Sequence, residues 1–167
     1  MNRTISTEAG IPLLTAEIVA QIIGRLKPGI KQLLEMYGRE FLHIIVLDTI
    51  DGKTILFDGP AVGKVEDYPK PYRTVATLKA ALSARTGLNT GDVMTVGAHL
   101  LAGGDVIYQG GVNYRSLVVA ASGAQAPVDE AVSLMVAVQL SAWCQVQVQK
   151  LQADNVKGGS YVVTVTA

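Results

Sequence analysis

Apolar residues recur at steps of three and four from Thr15 onward. Val19, Ile22, Ile23, Leu26, Ile30, Leu33, Leu34 and Tyr37 fall on one face of a helix. Thr15 suits the N-cap and Gly38 the stop, and the stripe keeps its phase across Pro28 and Gly29, so the pattern predicts one kinked helix or two nearly collinear ones. The period then changes. "FLHIIVLD" is rich in branched residues, Asp51 and Gly52 are a turn signal, and "KTILFDG" follows, which predicts a β-hairpin. Its first strand is apolar on both faces, so the expected covers are a helix on one side and a neighbouring subunit on the other. Three prolines and no period predict a loop from Pro60 to Pro71.

A second helix is predicted over "YRTVATLKAALSARTG", with Val75, Leu78 and Leu82 on one face and Gly87 ending it. "LNTGDVMTVGAHLLAGGD" reads as irregular chain with a short helical turn near Asp92. "DVIYQGG" and "YRSLVVAASG" read as two strands joined around Gly110, Gly111 and Asn113, a second hairpin. The last helix opens with Pro127 in its first turn, sets Asp129 and Glu130 at the positive end of its dipole, and runs to about Ala153. Tyr161 to Thr166 alternates like a short strand. This order predicts a single α+β domain over residues 1–167, an antiparallel sheet flanked by helices. Residues 1–14 are expected to form an N-terminal extension and 158–167 an added C-terminal strand.

Composition narrows the partners. The 167 residues suffice for one core, and 14 basic against 14 acidic side chains leave no positive excess for nucleic acid or an anionic membrane surface. Charged residues make up 17%, against about 25% in an average domain. The run from Val132 to Val148 is interrupted by Ser133, Gln139, Ser141, Gln145 and Gln147, short of the roughly 20 apolar residues of a membrane span. A buried or subunit-facing helix is expected there, hence a homo-oligomer and no membrane. The lone Cys144 makes no disulfide framework, and "MNRTISTEAGIPLL" has no apolar signal core, so a cytoplasmic location is expected.

Three stretches, "VLDTIDG", "ATLKAALSA" and "YQGGVNYRSLVVAASGAQAPVDEAV", occur in an order and spacing that resembles the GlcG/HbpS family, which includes the C-terminal domain of PduO-type proteins. The similarity runs from about Thr15 to Ala153. It implies a profilin-like sheet flanked by helices, oligomers, and a small-molecule ligand, with haem or another tetrapyrrole-related molecule foremost. By motif position it points to Asp48, to Lys79 with Ala80, to the double glycine Gly110 and Gly111, to the corner Ser122 and Gly123, and to Asp129 with Glu130.

Each has a chemical reading and a plainer one. The corner at Ser122, Gly123 and Ala124 precedes a helix whose free N–H groups would bind an anion, unless Asp129 or Glu130 folds back to cap them. Asp48 and Lys79 could form an acid–base pair for proton transfer on a small oxygenated metabolite, or an ion pair fixing helix to sheet. His43 alternates with Phe41, Ile45 and Leu47 as a packed histidine would. His99, in a glycine-flanked segment, is the better metal or haem ligand. Tyr68, Tyr72, Arg73, Tyr108, Tyr114 and Arg115 are amphipathic tips suited to a pocket or an interface. "AASGA" around Ser122 is not a hydrolase nucleophile elbow, and Cys144 reads as packing. Three functions follow: a small-ligand-binding protein, a cofactor-independent enzyme, or an oligomeric assembly or regulatory module.

Overall fold

The computed structural model describes residues 13–48 and 51–158, with side chains to residue 153. Helix α1, Ala16–Met36, is continuous and contains Pro28. Thr15 caps it by accepting a hydrogen bond from the Ile18 N–H at 3.3 Å, a contribution of about 1 kcal/mol. Its buried residues are Val19, Ile23, Ile30 and Leu34. Gly24, Pro28 and Gly29 face solvent, so water can satisfy the carbonyl that the proline leaves without an N–H partner.

The first hairpin comprises β1, Leu42–Leu47, and β2, Ile55–Val62. Asp51 holds the turn, accepting from the Lys53 and Thr54 N–H groups at 2.8 Å each and from the Thr54 hydroxyl. Those bonds, the Thr54 hydroxyl first, hold its carboxyl down at about 2. β2 runs through Pro60, so the loop expected from that residue starts after Val62. The sheet order β2-β1-β4-β3, with β3 at Gly111–Tyr114 and β4 at Leu117–Ser122, explains this: β2 is an edge strand, where a missing N–H costs no ladder bond.

All pairings are antiparallel. On one face Leu42, Ile44 and Val46 of β1, with Leu117, Val119 and Ala121 of β4 (Leu117–Ser122), pack against α1 and the last helix, α4 (Ala126–Gly158). On the other, Ile45, Leu47, Val118 and Ala120 meet Ala76 and Ala80 of α2 (Tyr72–Thr86). β1 is therefore covered on both faces by helices of its own chain, and the neighbouring subunit expected there is not required. Each fully buried branched residue contributes about 1.5–3 kcal/mol.

The inward face of α2 differs from the predicted one. Ala76, Lys79, Ala80 and Ser83 are buried along one stripe, with Leu82 beside it, while Leu78 is exposed. Small side chains let the helix approach the sheet closely, which a hydropathy pattern does not register. Leu82 instead joins Val93 and Val106 in a small cluster beside α3, Thr90–Thr95.

The second hairpin is also displaced from its predicted place. β3 is Gly111–Tyr114, and the chain reverses at Arg115 and Ser116, both at positive φ (52° and 69°), the two-residue turn that matches strand twist. Asn113 steadies it by accepting from the Ser116 N–H at 3.1 Å. Gly110 and Gly111 are not the turn. A Cβ on Gly111 would lie 2.6 Å from the Lys79 carbonyl oxygen, so this glycine is required for α2 to pack.

α4 has 33 residues, about 50 Å at 1.5 Å per residue, and passes the expected end at Ala153. It is the one described helix long and apolar enough to cross a membrane by length and composition. Val128, Val132, Val136, Ala137 and Leu140 are buried in the core, and 28% of the apolar window is buried in all. The expected strand from Tyr161 to Thr166 and most of the N-terminal extension lie outside the described residues.

Candidate functional site

The end of β4, the start of α4 and the N-terminal half of α2 converge on a cleft of about 260 Å³, lined among others by Lys70, Tyr72, Lys79, Tyr108, Ser122, Gly123 and Asp129. Tyr72 and Gly123 also line an adjoining hollow with Arg39, Glu40 and Phe41.

At its floor lies a buried ion pair. Lys79 and Asp129 are 1% and 3% exposed, and the Lys79 Nζ donates to Asp129 Oδ2 at 2.8 Å and to the Ala121 carbonyl at 2.9 Å. Burial pushes the Lys79 amine below its usual 10.5, a drop that the charge and hydrogen bond of Asp129 partly offset. Burial pushes the Asp129 carboxyl above its usual 3.8, opposed by Lys79 and by backbone N–H groups of the corner. Both shifts run toward the uncharged forms, as withdrawal of the two charges from water requires.

Asp129 does fold back onto the corner. Its Oδ1 accepts the Ala124 N–H at 2.9 Å, with a further backbone bond from Gly123. The N–H groups that would have held an anion are used internally. Ser122, Gly123 and Ala124 still line the cleft, as wall rather than as anion cradle. Gly110 makes room for the pair: a Cβ there would stand 2.5 Å from Lys79 Nζ and 2.9 Å from Asp129 Cβ. Ser133 fixes Gly110, its hydroxyl donating to the glycine carbonyl at 2.7 Å.

The acid–base pair expected between Asp48 and Lys79 is not formed. Lys79 bonds the carbonyl of Ala121, which faces Ile44 across the sheet. Asp48 lies four residues further along β1, about 13 Å at roughly 3.3 Å per residue. It lines a different cavity of about 340 Å³ with Leu56, Tyr114, Arg115, Leu117 and Cys144.

His43, 1% exposed, is opposite Ser122 in the sheet register and belongs to a second network beside the cleft. Its Nε2–H donates to Asp58 Oδ1 at 2.7 Å, which leaves Nδ1 to accept from the Tyr68 hydroxyl at 3.2 Å. Asp58 also accepts from Arg73 at 2.5 Å. Tyr68 stacks edge-on against Phe41, His43 and Tyr72. Burial pushes the Tyr68 hydroxyl up to about 12, with the Asp58 charge adding to it. Burial likewise outweighs Asp58 at His43 and holds the imidazole below its usual 6.5.

The unfolded chain therefore takes up that proton first. The stability this neutral histidine contributes is present above pH 6.5 and is lost as pH falls from there toward its folded value. The unfolding midpoint is expected to drop between pH 7 and 5, and His43→Phe should flatten that slope. A wild-type midpoint constant across this range would show that His43 is not buried as a neutral group.

His99 is exposed on a short 3₁₀ turn, Ala98–Leu100, and lines none of these cavities. Among the described residues no three His, Cys, Asp or Glu side chains come together as metal ligands. Among the described residues the fit to haem is poor: His43 has both ring nitrogens engaged, His99 is exposed and lines none of these cavities, and the cleft is small.

Asp58 and the pairing of Asp129 with Lys79 are the features of the candidate site that sequence reasoning missed. The available signal was a lysine inside the small-residue stripe Ala76, Ala80 and Ser83, spaced for one buried helix face.

No family model and no curated protein matches the sequence. Among solved structures the chain is similar to the Klebsiella pneumoniae protein ORFY of DUF336, a GlcG-like family. The TM-score is 0.57 and the identity 15%, over 85% of this chain and 99% of that one. The shared feature is the fold, a four-stranded antiparallel sheet with flanking helices in a single α+β domain.

Proposed function

We propose, from a fold shared with a GlcG-like protein, that this chain binds a small oxygenated metabolite in the cleft over Lys79 and Asp129. The observation that carries this reading is a buried ion pair lining an open cleft. Two charges withdrawn from water are costly to keep, and an apolar pair of similar volume would hold helix to sheet as well or better. Placed in a cleft, the same pair offers a ligand a donor and an acceptor. The cleft's about 260 Å³ is just below the usual range of about 300–1,000 Å³ for small-molecule sites, which favours a metabolite over a tetrapyrrole.

A panel of small hydroxy acids, keto acids, diols and aldehydes, followed by amide NMR, tests it. At least one member is expected to shift Ser122, Gly123 and Ala124, and Tyr108→Ala, at the exposed rim, should weaken that binding with the fold intact. Shifts confined to the Asp48 cavity, or none from any compound, would refute the reading.

A second property has its own observation. Leu134, Val138 and Val146, with Ala142 between them, form an exposed stripe of four-residue steps along α4, and no charge interrupts the helix from Ala131 to Gln149. We propose that this stripe packs against a second copy of the chain, four-residue ridges being the commonest helix contact. Sedimentation should give a mass above one chain, lowered by Val138→Glu. A wild-type monomer at high concentration would exclude the contact.

A further inference from the structure

We infer that Lys79 is the reactive amine of a carbonyl-binding site, its Nζ condensing reversibly with a small aldehyde or ketone held in the cleft. This deepens the ligand-binding reading above and rests on it. Three features of the site favour the chemistry. Lys79, Asp129 and Ser122 all line one cleft. The amine sits 2.8 Å from a carboxyl that can take its proton, and a desolvated amine is the nucleophile that carbonyl addition needs. Gly110, where any Cβ would lie 2.5 Å from Nζ, keeps side-chain bulk off the nitrogen.

The step balances without an oxidant. Asp129 first takes a proton from the Nζ ammonium. Neutral Nζ adds to the carbonyl carbon, forming the C–N bond as the C=O pair moves onto oxygen and the Asp129 acid protonates that oxygen. The Asp129 carboxylate then removes a proton from the nitrogen and passes it to the hydroxyl, which leaves as water as the C=N bond forms, so one ammonium and one carbonyl yield one protonated imine and one water. A protonated imine keeps an N–H for Asp129, while the Ala121 carbonyl gives up its donor. Burial already holds the amine below its ordinary range, which raises the neutral fraction available to react.

Acetaldehyde and pyruvate serve as probes of the full chain, each followed by amide NMR and, in parallel, by borohydride reduction with peptide mapping. One reduced adduct per chain is expected, placed on Lys79 ahead of every other lysine and absent from Lys79→Arg. Shifts at Ser122 to Ala124 without an adduct on Lys79 would overturn the covalent step and leave the binding site standing. Neither shifts nor adduct with either probe would overturn both for small carbonyl compounds. Labelling spread over the other lysines with none favoured at Lys79 would also overturn the inference. The mapping is read on the wild-type chain, so it holds even where Lys79→Arg fails to fold.

Discussion

Lys79→Met is expected to lower the free energy of unfolding by about 3–5 kcal/mol, among the largest effects of any single substitution here. The cost arises from what stays behind. Asp129 remains 3% exposed, with N–H donors from the corner but no cation, so it must keep an uncompensated charge or take up a proton. Burial already favours the protonated acid, and without Lys79 its folded-state affinity for a proton rises further. An acid whose folded pKa is raised gives stability present at low pH and lost as pH rises through that value, so the deficit should shrink on acidification. Lys79→Met with Asp129→Asn should restore most of the loss, since the amide keeps an acceptor for the Ala124 N–H. Urea unfolding of the three chains measures this. A loss below about 0.5 kcal/mol for Lys79→Met would mean a solvated lysine and would remove the basis of the cleft reading.

Gly123→Ala is the second large effect, expected at about 2–6 kcal/mol. That range combines about 1–3 kcal/mol for an unfavoured backbone conformation with about 1–3 kcal/mol for overpacking. Gly123 has φ +146°, and a Cβ there would lie 2.2 Å from the Phe41 carbonyl oxygen and 2.9 Å from the Leu42 Cα. Both neighbours are backbone, so relief requires the start of β1 to move away from β4. The corner carries Ser122 and Ala124, and the cleft should deform with it. Gly24→Ala is the control: a Cβ there meets nothing within 4 Å on an exposed helical position, so stability should rise by about 0.5–1 kcal/mol. Thermal unfolding of the two variants compares them directly, and a Gly123→Ala chain as stable as wild type would show that β4 passes into α4 by another path.

Several elements were legible because their signals are local. Thr15 followed by apolar steps of three and four marks a capped amphipathic helix whatever surrounds it, and α1 begins there. The branched run of β1 and the turn at Asp51 likewise mark the first hairpin. Other signals were local but ambiguous. Gly110 and Gly111 look like a turn, yet their missing side chains answer to α2 and to Lys79, which lie about 30 residues away in sequence. Arg115 and Ser116, which do turn, carry no glycine and gave no warning. Leu78 counted as core by hydropathy although a stripe of alanines made the contact.

The candidate site divides along the same line. Lys79, Ser122, Gly123 and Asp129 could each be singled out from motif and helix-end chemistry in the sequence, and so could the choice between an open and a capped corner. Which acid faces Lys79 could not. Asp48 and Asp129 both lie at the ends of elements near α2, and only the antiparallel register of β1 with β4 sets Asp48 four residues beyond the partner of Ala121, whose carbonyl Lys79 bonds, while Asp129 closes to 2.8 Å. His43 shows the same limit: its alternation marked it as packed, but Asp58 and Tyr68 reach it from 15 and 25 residues away. Periodicity and capping depend on neighbours within a turn or a strand, so the chain alone determines its elements and fold class. Ion pairs, exposure and shifted protonation depend on residues that meet only when the sheet closes, so the tertiary structure decided the site.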